Sequence, residues 1–231
     1  MSAWSMTPIG LIESCFKEKF AIPRQPGLVP AAEATLHLLP PYDQPDAVRG
    51  LEQFSHVWIV FAFHGTAEQG WRPTVRPPKL GGNARVGVFA TRSTFRPNPI
   101  GLSVARLVAI DTTEGVHLKL AGADLLDGTP VLDIKPYLTY ADALPDAGNG
   151  YADDGSAPMP VQFAPDAEAA LVSWASRHPA LRALITQVLA QDPRPGYADD
   201  PAREYGMTLY DVNVQWRCVD GVAEVIRLTP A

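Results

Sequence analysis

Short apolar runs, separated by turn-forming residues, fill the N-terminal part of the chain. The runs are rich in Val, Ile, Leu and aromatic residues, and Gly, Pro, Asn and Asp divide them, as is typical of β-strands joined by tight turns. "AVRGLEQF" is the best candidate for a short helix among them. Because few helices intervene, the pattern predicts a mainly β domain, a mostly antiparallel barrel or sandwich. The predicted strands are "IGLIES", "ATLHLL", "HVWIVFAFH", "RVGVFATRS", "GLSVARLVAI", "VHLKLAGAD" and "TPVLDIKPYL".

A different periodicity governs the C-terminal part of the chain. "DAEAALVSWASRH" has a helical composition, and "PALRALITQVLAQDP" opens with Pro179, stops at Pro193 and carries apolar residues at helical spacing. The apolar positions of this second helix are Leu181, Leu184, Ile185, Val188 and Leu189. In "YDVNVQWRCVDGVAEVIRL", Val212, Val214, Trp216 and Cys218 share one strand face, and Asp220–Gly221 predicts a hairpin turn. These elements predict a small α+β unit.

The composition between the two parts is that of a linker or a long surface loop. "ADALPDAGNGYADDGSAPMPVQFAP" is small, acidic and rich in turn formers. We therefore expect a β-barrel domain over residues 5–145, a linker over residues 146–160 and the α+β unit over residues 161–231.

Charge is distributed unevenly along the chain. The net charge of −6 disfavours loose, nonspecific binding of nucleic acid. Residues 70–110, however, contain seven basic residues and no acidic one. A cationic tract on an acidic body indicates an anionic partner held at one place, either small or polymeric, although solvated arginines alone could give the same pattern.

The chain lacks the usual sequence signals of several classes of protein. The chain has no apolar run of about 18 residues, as a membrane helix needs, and no secretory signal at its N-terminus. It has no GxGxxG, phosphate-loop, HExxH or CxxC motif, so we expect no metal and no Rossmann cofactor site. Cys15 and Cys218 are isolated, which indicates reduced thiols and a cytoplasmic protein, with a single long-range disulfide as the alternative.

Four segments carry polar residues that a structural strand does not need. They are "AIPRQPGLV", "FAFHGT", "GVFATRSTFRPNPIGLS" and "GADLLDGTPVLDIKPY". A guanidinium can hold a carboxylate by two hydrogen bonds, and a loop aspartate can accept hydrogen bonds from ribose hydroxyls. Together the segments suit a small, zwitterionic, nucleoside-like cofactor, but their spacing does not identify it. Taken singly, a histidine such as His64 more often packs than binds, and Asp127–Gly128 is by default a turn.

The stretches "KEKFAIPRQPGL", "GGNARVGVFATRSTFRPNPIGLS", "DLLDGTPVLDIKPY" and "AQDPRPGY" closely resemble the TsaA-like β-barrel family. The resemblance covers nearly the whole chain except residues 147–160. Its characterised bacterial members are tRNA methyltransferases that use S-adenosylmethionine to methylate N6 of threonylcarbamoyladenosine beside the anticodon. The resemblance thus implies a β-barrel, S-adenosylmethionine as methyl donor, and a homodimer that binds the anticodon arm.

The resemblance also implies positions for the donor. The implied donor-binding residues are Pro23, Arg24, Gln25, His64, Gly65, Arg92, Leu102, Asp124, Leu125, Leu126 and Asp127. At Gly65 this chain lacks the contact that a polar side chain would add.

The chemistry of the implied reaction suggests further residues. Methyl transfer from a sulfonium depends mainly on alignment and desolvation, but the acceptor nitrogen is ureido-like and must lose a proton. Asp133 and Lys135, with Tyr137 as a lesser candidate, are our hypothesis for the acceptor side; the alternative is that they brace the barrel mouth. For the threonyl carboxylate the candidates are Arg96 and Arg194, and for the tRNA backbone Arg72, Arg76 and Lys79.

Two other functions remain open at this stage. One is a methyltransferase of the same family with a different acceptor. The other is a barrel that binds RNA or a nucleotide without catalysis, for which the basic tract would suffice but an enclosed cofactor pocket would be unnecessary.

Overall fold

The computed structural model describes residues 5–77, 80, 84–152, 157–194 and 202–231. Its N-terminal part is a closed, fully antiparallel barrel in the order β1-β2-β7-β6-β3-β8, which confirms the predicted β-barrel. The barrel strands are β1 (Gly10–Ser14), β2 (Glu33–Leu38), β3 (His56–Ala62), β6 (Ile100–Asp111), β7 (His117–Ala121) and β8 (Pro130–Pro136). Two short strands between β3 and β6 form a separate ribbon, β4 (Thr74–Val75) with β5 (Val86–Gly87).

Alternating burial along the strands fills the barrel with apolar side chains. In β3, Val57, Ile59 and Phe61 point inward, whereas Trp58 and Val60 lie on the outer face. Closure of the barrel depends on pairing of β8 with both β1 and β3. It leaves no unpaired sheet edge around the barrel, as closure does in other small β-folds.

The C-terminal part packs two helices on a four-stranded sheet of order β10-β11-β12-β9. Its elements are β9 (Val161–Phe163), α2 (Pro165–Trp174), α3 (Leu181–Ala190), β10 (Glu204–Leu209), β11 (Val212–Val219) and β12 (Val222–Pro230), and they follow the helix α1 (Thr139–Asp142). The apolar stripe predicted for α3 is buried at all five positions. Asp220 and Gly221 form the predicted two-residue hairpin turn, both with positive φ.

The connection between β1 and β2, residues 15–32, belongs to the core of the C-terminal unit. Its residues Cys15, Phe16 and Ala21 are buried in one cluster with the apolar residues of α3 and β11. Phe16 forms an isolated bridge to Leu209 of β10. The barrel therefore contributes one of its own loops to the second core.

Two predicted elements differ in the structure. "RVGVFATRS" contributes only the two residues of β5 and a 3₁₀ turn at Val88–Ala90, because its strand partner β4 is equally short. "AVRGLEQF" forms two 3₁₀ turns, Pro45–Val48 and Leu51–Gln53, separated by Gly50 with φ +87°, a left-handed conformation that interrupts a helix.

Both cysteines are buried and unpaired. Burial raises the pKa of Cys15 to about 12, so its thiolate is absent at neutral pH. The described residues contain no group of three or more His, Cys, Asp or Glu placed to hold a metal. Within the same residues, no helix has the length and apolarity that a membrane crossing requires.

Candidate functional site

A cavity of about 530 Å³ opens where one end of the barrel meets the β1–β2 connection. Its walls come from four stretches of chain: the β1–β2 connection, the end of β3, the start of β6 with the loop before it, and the β7–β8 connection. This volume is in the usual range for a small-molecule site, about 300–1,000 Å³. The apolar side chains in the wall are Ile22, Phe61, Phe63, Ile100, Leu102 and Leu126.

Two glycines in the cavity wall let neighbouring side chains pack against the backbone. A Cβ added at Gly101 would lie 2.2 Å from the ring of Phe61, the residue opposite it on β3. A Cβ added at Gly65 would lie 2.8 Å from the Cε of Lys19. The hydroxyl of Thr66, also in the wall, is buried and has no hydrogen-bond partner within the part of the chain that the structure describes, so it is free to bond a ligand or a water molecule.

Basic side chains surround the cavity. Arg92 donates a hydrogen bond to the amide oxygen of Gln25, and Lys19 donates one to the carbonyl of Gly65. Arg24 donates from Nη2 to the carbonyl of Asp192, at 3.3 Å, and so reaches into the C-terminal unit. The cavity thus presents several cations beside apolar walls, which suits a ligand with a carboxylate at one end.

Asp124 is the acidic residue among the described lining residues. It accepts a hydrogen bond from the hydroxyl of Ser103 on β6. Burial raises the pKa of Asp124 above its usual range, while the Ser103 hydroxyl and the charge of Arg92 act in the opposite direction. A half-buried carboxylate in this position can accept hydrogen bonds from hydroxyl groups of a ligand.

The structure brings most of the predicted donor-binding residues together. Nine of them line the cavity: Pro23, Arg24, Gln25, His64, Gly65, Arg92, Leu102, Asp124 and Leu126. They come from all four stretches of chain, although His64, which begins a 3₁₀ helix, has an exposed side chain.

Leu125 and Asp127 lie outside the cavity lining. Leu125 is buried in the barrel core. The Asp127 carboxylate accepts a hydrogen bond from the Ser14 N–H, at 2.8 Å, and pairs with Lys17 at 3.0 Å. Alternate residues of this segment face opposite ways, so Asp127 ties the β7–β8 connection to β1 instead of facing the cavity.

Asp133, Lys135 and Tyr137 lie along the outer face of the barrel. Asp133 pairs with Val60 and forms an ion pair with Lys135 at 3.6 Å, and the Tyr137 ring lies 5.7 Å from that of Trp58. None of the three lines the cavity. Leu102 is a lining residue on that face, since it pairs with the other side of Val60. Two strand spacings, about 10 Å, separate it from Asp133.

Three arginines of the basic tract, Arg72, Arg76 and Arg85, are exposed on and next to the β4–β5 ribbon. The register of β4 with β5 places Arg76 next to Arg85, and both side chains are exposed. Arg72 lies over the ring of Phe95, at 4.6 Å. Two like charges side by side on a ribbon destabilise it unless an anion lies between them. Lys79 lies outside the described residues.

The two predicted carboxylate-binding arginines differ in their surroundings. Arg96 lines the cavity, donates from Nη1 to the carbonyls of Val88 and Thr91, and lies 5.7 Å from the ring of Phe89. Arg194 does not line it: its guanidinium makes two hydrogen bonds to Asp192, at 2.7 and 2.8 Å.

Sequence reasoning missed Lys19, Phe61, Thr66 and Ser103 as cavity residues. Lys19 lies in the same stretch as Pro23 and Arg24, so its position close to these two predicted residues could have indicated that it lines the cavity. Phe61 and Ser103 read as ordinary core positions of alternating strands, and nothing in the pattern separates a core residue at a strand end from one that borders a cavity.

Comparisons with known proteins agree with this architecture. Residues 11–143 match the family model of the tRNA-methyltransferase O N-terminal domain, and residues 156–231 match that of the TrmO C-terminal domain. The tRNA (adenine(37)-N6)-methyltransferase of Escherichia coli is 55% identical over 234 residues, with 100% of both chains covered. A putative S-adenosylmethionine-dependent methyltransferase of Pseudomonas aeruginosa, RcsF, is 55% identical over 92% of this chain and 91% of its own. The crystal structure of TrmO from P. aeruginosa superposes with a TM-score of 0.85 at 46% identity, covering 100% of this chain and 99% of that one.

Proposed function

Because the chain belongs to the tRNA-methyltransferase O family, in both its N-terminal and its C-terminal domain, we propose that it methylates N6 of adenine 37 in tRNA with S-adenosylmethionine as donor. The observation that carries the proposal is the cavity: it joins cations, one half-buried carboxylate and apolar walls at the end of a barrel. The exposed arginines of the β4–β5 ribbon, joined to the cavity wall through the Arg72–Phe95 backbone contact, offer a surface where a polyanion can bind.

The residues of the cavity fit S-adenosylmethionine. The volume of about 530 Å³ is large enough for a nucleoside with an amino-acid arm. When bound, S-adenosylmethionine supplies an electrophilic methyl group, whose bond to sulfur breaks with its electron pair remaining on sulfur as the bond to N6 forms. Pro23 is buried, and together with the apolar wall it gives this region a low polarity, which favours transfer from a cationic sulfur.

Charged residues orient the donor in this proposal. Arg92 and Lys19 bind its carboxylate, since both cations border the cavity and their present partners are neutral oxygens. Asp124 accepts hydrogen bonds from the ribose hydroxyls and is held in place by Ser103. Leu125 and Asp127 support the donor site indirectly, through the barrel core and β1.

We further propose that the acceptor is threonylcarbamoyladenosine beside the anticodon. Arg96 is the better candidate for its carboxylate, because Arg96 lines the cavity whereas the guanidinium of Arg194 is already bound by Asp192. The acceptor then lies over Leu102, on the outer face that also carries Asp133 and Lys135. For Asp133 to take the N6 proton and Lys135 to stabilise the urea, the acceptor has to extend from Leu102 across Val60, a distance of about 10 Å. Single-turnover rates of Asp133→Ala and Lys135→Ala at saturating tRNA test this, and two unchanged rates would exclude both roles and leave the pair as a brace of the barrel mouth.

Contacts with tRNA and with a second subunit follow from the exposed surface. In this proposal Arg72 and Arg76, with Arg85 beside them, contact phosphates, and a base stacks on Phe89; the exposure of all four side chains supports it. We propose a cytoplasmic homodimer, which is supported by the exposed apolar side chains of Val108, Tyr140 and Leu144 and by the unpaired cysteines. Light scattering at increasing protein concentration measures the oligomeric state.

The test of the proposed function is mass spectrometry of tRNA nucleosides from cells with and without the gene. We expect the methylated form of threonylcarbamoyladenosine to disappear when the gene is deleted and to return with the wild-type gene. Purified protein should methylate tRNA that carries threonylcarbamoyladenosine. Methylation of unmodified tRNA instead would retain the enzyme class and refute the proposed acceptor.

Calorimetry with S-adenosylmethionine distinguishes the enzyme from a barrel that only binds RNA. We expect a single site per chain in the wild type and weaker binding in Arg92→Gln. Binding of tRNA without any binding of S-adenosylmethionine would refute the methyltransferase and favour the binding protein.

A further inference from the structure

The wall of the donor cavity is built on the C-terminal unit. Ile22, Pro23 and Arg24 of the β1–β2 connection line the donor cavity and also a second cavity of about 150 Å³, whose other side includes Val188 of α3 and Pro193. One face of this stretch therefore touches the donor site and the other faces α3. A shift of α3 relative to the barrel would move the donor-binding residues directly.

Specific hydrogen bonds hold the connection against the C-terminal unit. The amide oxygen of Gln187 on α3 accepts from the Ala31 N–H at 2.8 Å. The carbonyl of Asp192, just after α3, accepts from Arg24 at 3.3 Å. Ala21, midway between Cys15 and Gly27, is buried in the C-terminal core with φ +68°. A non-glycine residue keeps a positive φ only where the surrounding contacts enforce that conformation.

Asp192 itself is fixed by Arg194. Its φ of +43° is left-handed, and the Arg194 guanidinium makes two hydrogen bonds to its carboxylate. The Arg194 hydrogen bonds hold the pKa of Asp192 below its usual range, so the pair stays charged at neutral pH. The pair thereby orients the carbonyl to which Arg24 donates.

The barrel part also holds the connection, on both sides of Arg24. Gly27 donates to the carbonyl of Gly122 at 2.9 Å, Gln25 accepts from Arg92, and Lys19 donates to the carbonyl of Gly65. Arg24 itself is held from the side of α3, by the carbonyl of Asp192. The position of Arg24 therefore depends on both parts of the molecule, and the contact with Asp192 is the one that reaches its guanidinium from the C-terminal unit.

From these contacts we propose that Gln187 and Arg194 are positioning residues for the donor site, acting through the β1–β2 connection. The inference rests on the proposed function, because it concerns affinity for S-adenosylmethionine. In this view the C-terminal unit completes the donor site of the same chain, and Arg194 acts on the donor and not on the carboxylate of the acceptor.

The test is calorimetric titration of S-adenosylmethionine, together with the kcat and the KM for each substrate. Gln187→Leu leaves the Ala31 N–H without its acceptor, and we expect donor affinity about tenfold weaker. The kcat at saturating donor and the KM for tRNA should stay within about twofold of wild type. Gln187→Glu retains an oxygen acceptor and should restore the donor affinity. A matched control on the same helix is Arg182→Gln, which breaks a surface pair with Glu168 and leaves the connection untouched.

Arg194→Gln is a second, independent variant. If Gln187→Leu does not fold, Arg194→Gln alone tests whether the C-terminal unit positions the donor site. We expect it to weaken donor binding with the KM for tRNA unchanged. A raised KM for tRNA with normal donor affinity would overturn the proposal and return Arg194 to the acceptor carboxylate. Wild-type donor affinity in both variants, or no restoration in Gln187→Glu, would also overturn it. Failure of the wild type to bind donor would refute the proposed function itself.

Discussion

The contact between Gly101 and Phe61 gives the sharpest prediction about the donor cavity. In Gly101→Ala the new Cβ would lie 2.2, 2.5 and 2.7 Å from three atoms of the Phe61 ring. Carbon atoms pack at about 3.5–4.0 Å, so the ring has to retreat by at least about 1.3 Å. It cannot do so freely, because Phe61 is 6% exposed and its ring packs edge-on against Phe63 at 5.0 Å. We expect a strain of about 1–3 kcal/mol and, because both residues line the cavity, about tenfold weaker donor binding.

The matched control is Gly87→Ala, where an added Cβ meets nothing within 4 Å. Both variants gain the same strand propensity, so the difference in their free energies of unfolding, measured in urea, isolates the clash. In a Phe61→Leu background, Gly101→Ala should destabilise the protein less than it does in the wild type. Equal unfolding free energies and equal donor affinities for the two alanine variants would refute the reasoning.

Three further predictions concern other parts of the molecule. Burial holds the pKa of Asp124 above its usual range, so the protein loses stability as the pH rises from the unfolded-state pKa through the folded-state one. At neutral pH, Asp124→Asn should therefore unfold at a higher urea concentration than wild type, and this difference in unfolding midpoint should disappear in acid. The variant should also bind donor at least about tenfold more weakly. If Arg72 and Arg76 contact tRNA phosphates, each alanine variant should lower the slope of log affinity against log salt by about 0.7–0.9, whereas the exposed Arg227 should not affect it. Leu184→Ala, fully buried on α3, should reduce the free energy of unfolding by about 2–5 kcal/mol in urea titrations.

The alternation of apolar and polar residues was sufficient to predict most of the elements. Periodicity reports which side of a strand or helix is buried, so the buried faces of β7 and α3 could be read directly from the chain, whereas β3 is apolar throughout and could be recognised only as a strand. Asp220–Gly221 identified its hairpin because few residue pairs adopt positive φ in succession. Segments without periodicity, such as "RVGVFATRS", were assigned wrongly, since apolar content alone does not show whether a partner strand is long enough.

Most of the donor cavity could also be inferred from the sequence, through the polar segments and the family they resemble. The direction in which each side chain points could not be inferred from the sequence. Leu126 faces the cavity whereas its neighbour Asp127 faces β1, and Asp133 lies on the outer barrel face. These directions depend on the register of β8 between β1 and β3, which includes an irregularity at Val60/Phe61.

The chain alone therefore determined most of its strands, the helices α2 and α3, its cationic tract and the residue types of a donor site. Only the tertiary structure decided that residues 15–32 are buried in the core of the C-terminal unit and that Arg24 meets the carbonyl of Asp192. The physical reason is that a hydrophobic pattern specifies that a residue is buried, not against which partner. Arg24 and Asp192 are 168 positions apart and meet only when the barrel has closed and the C-terminal unit packs against it. The sequence around either residue does not specify this contact.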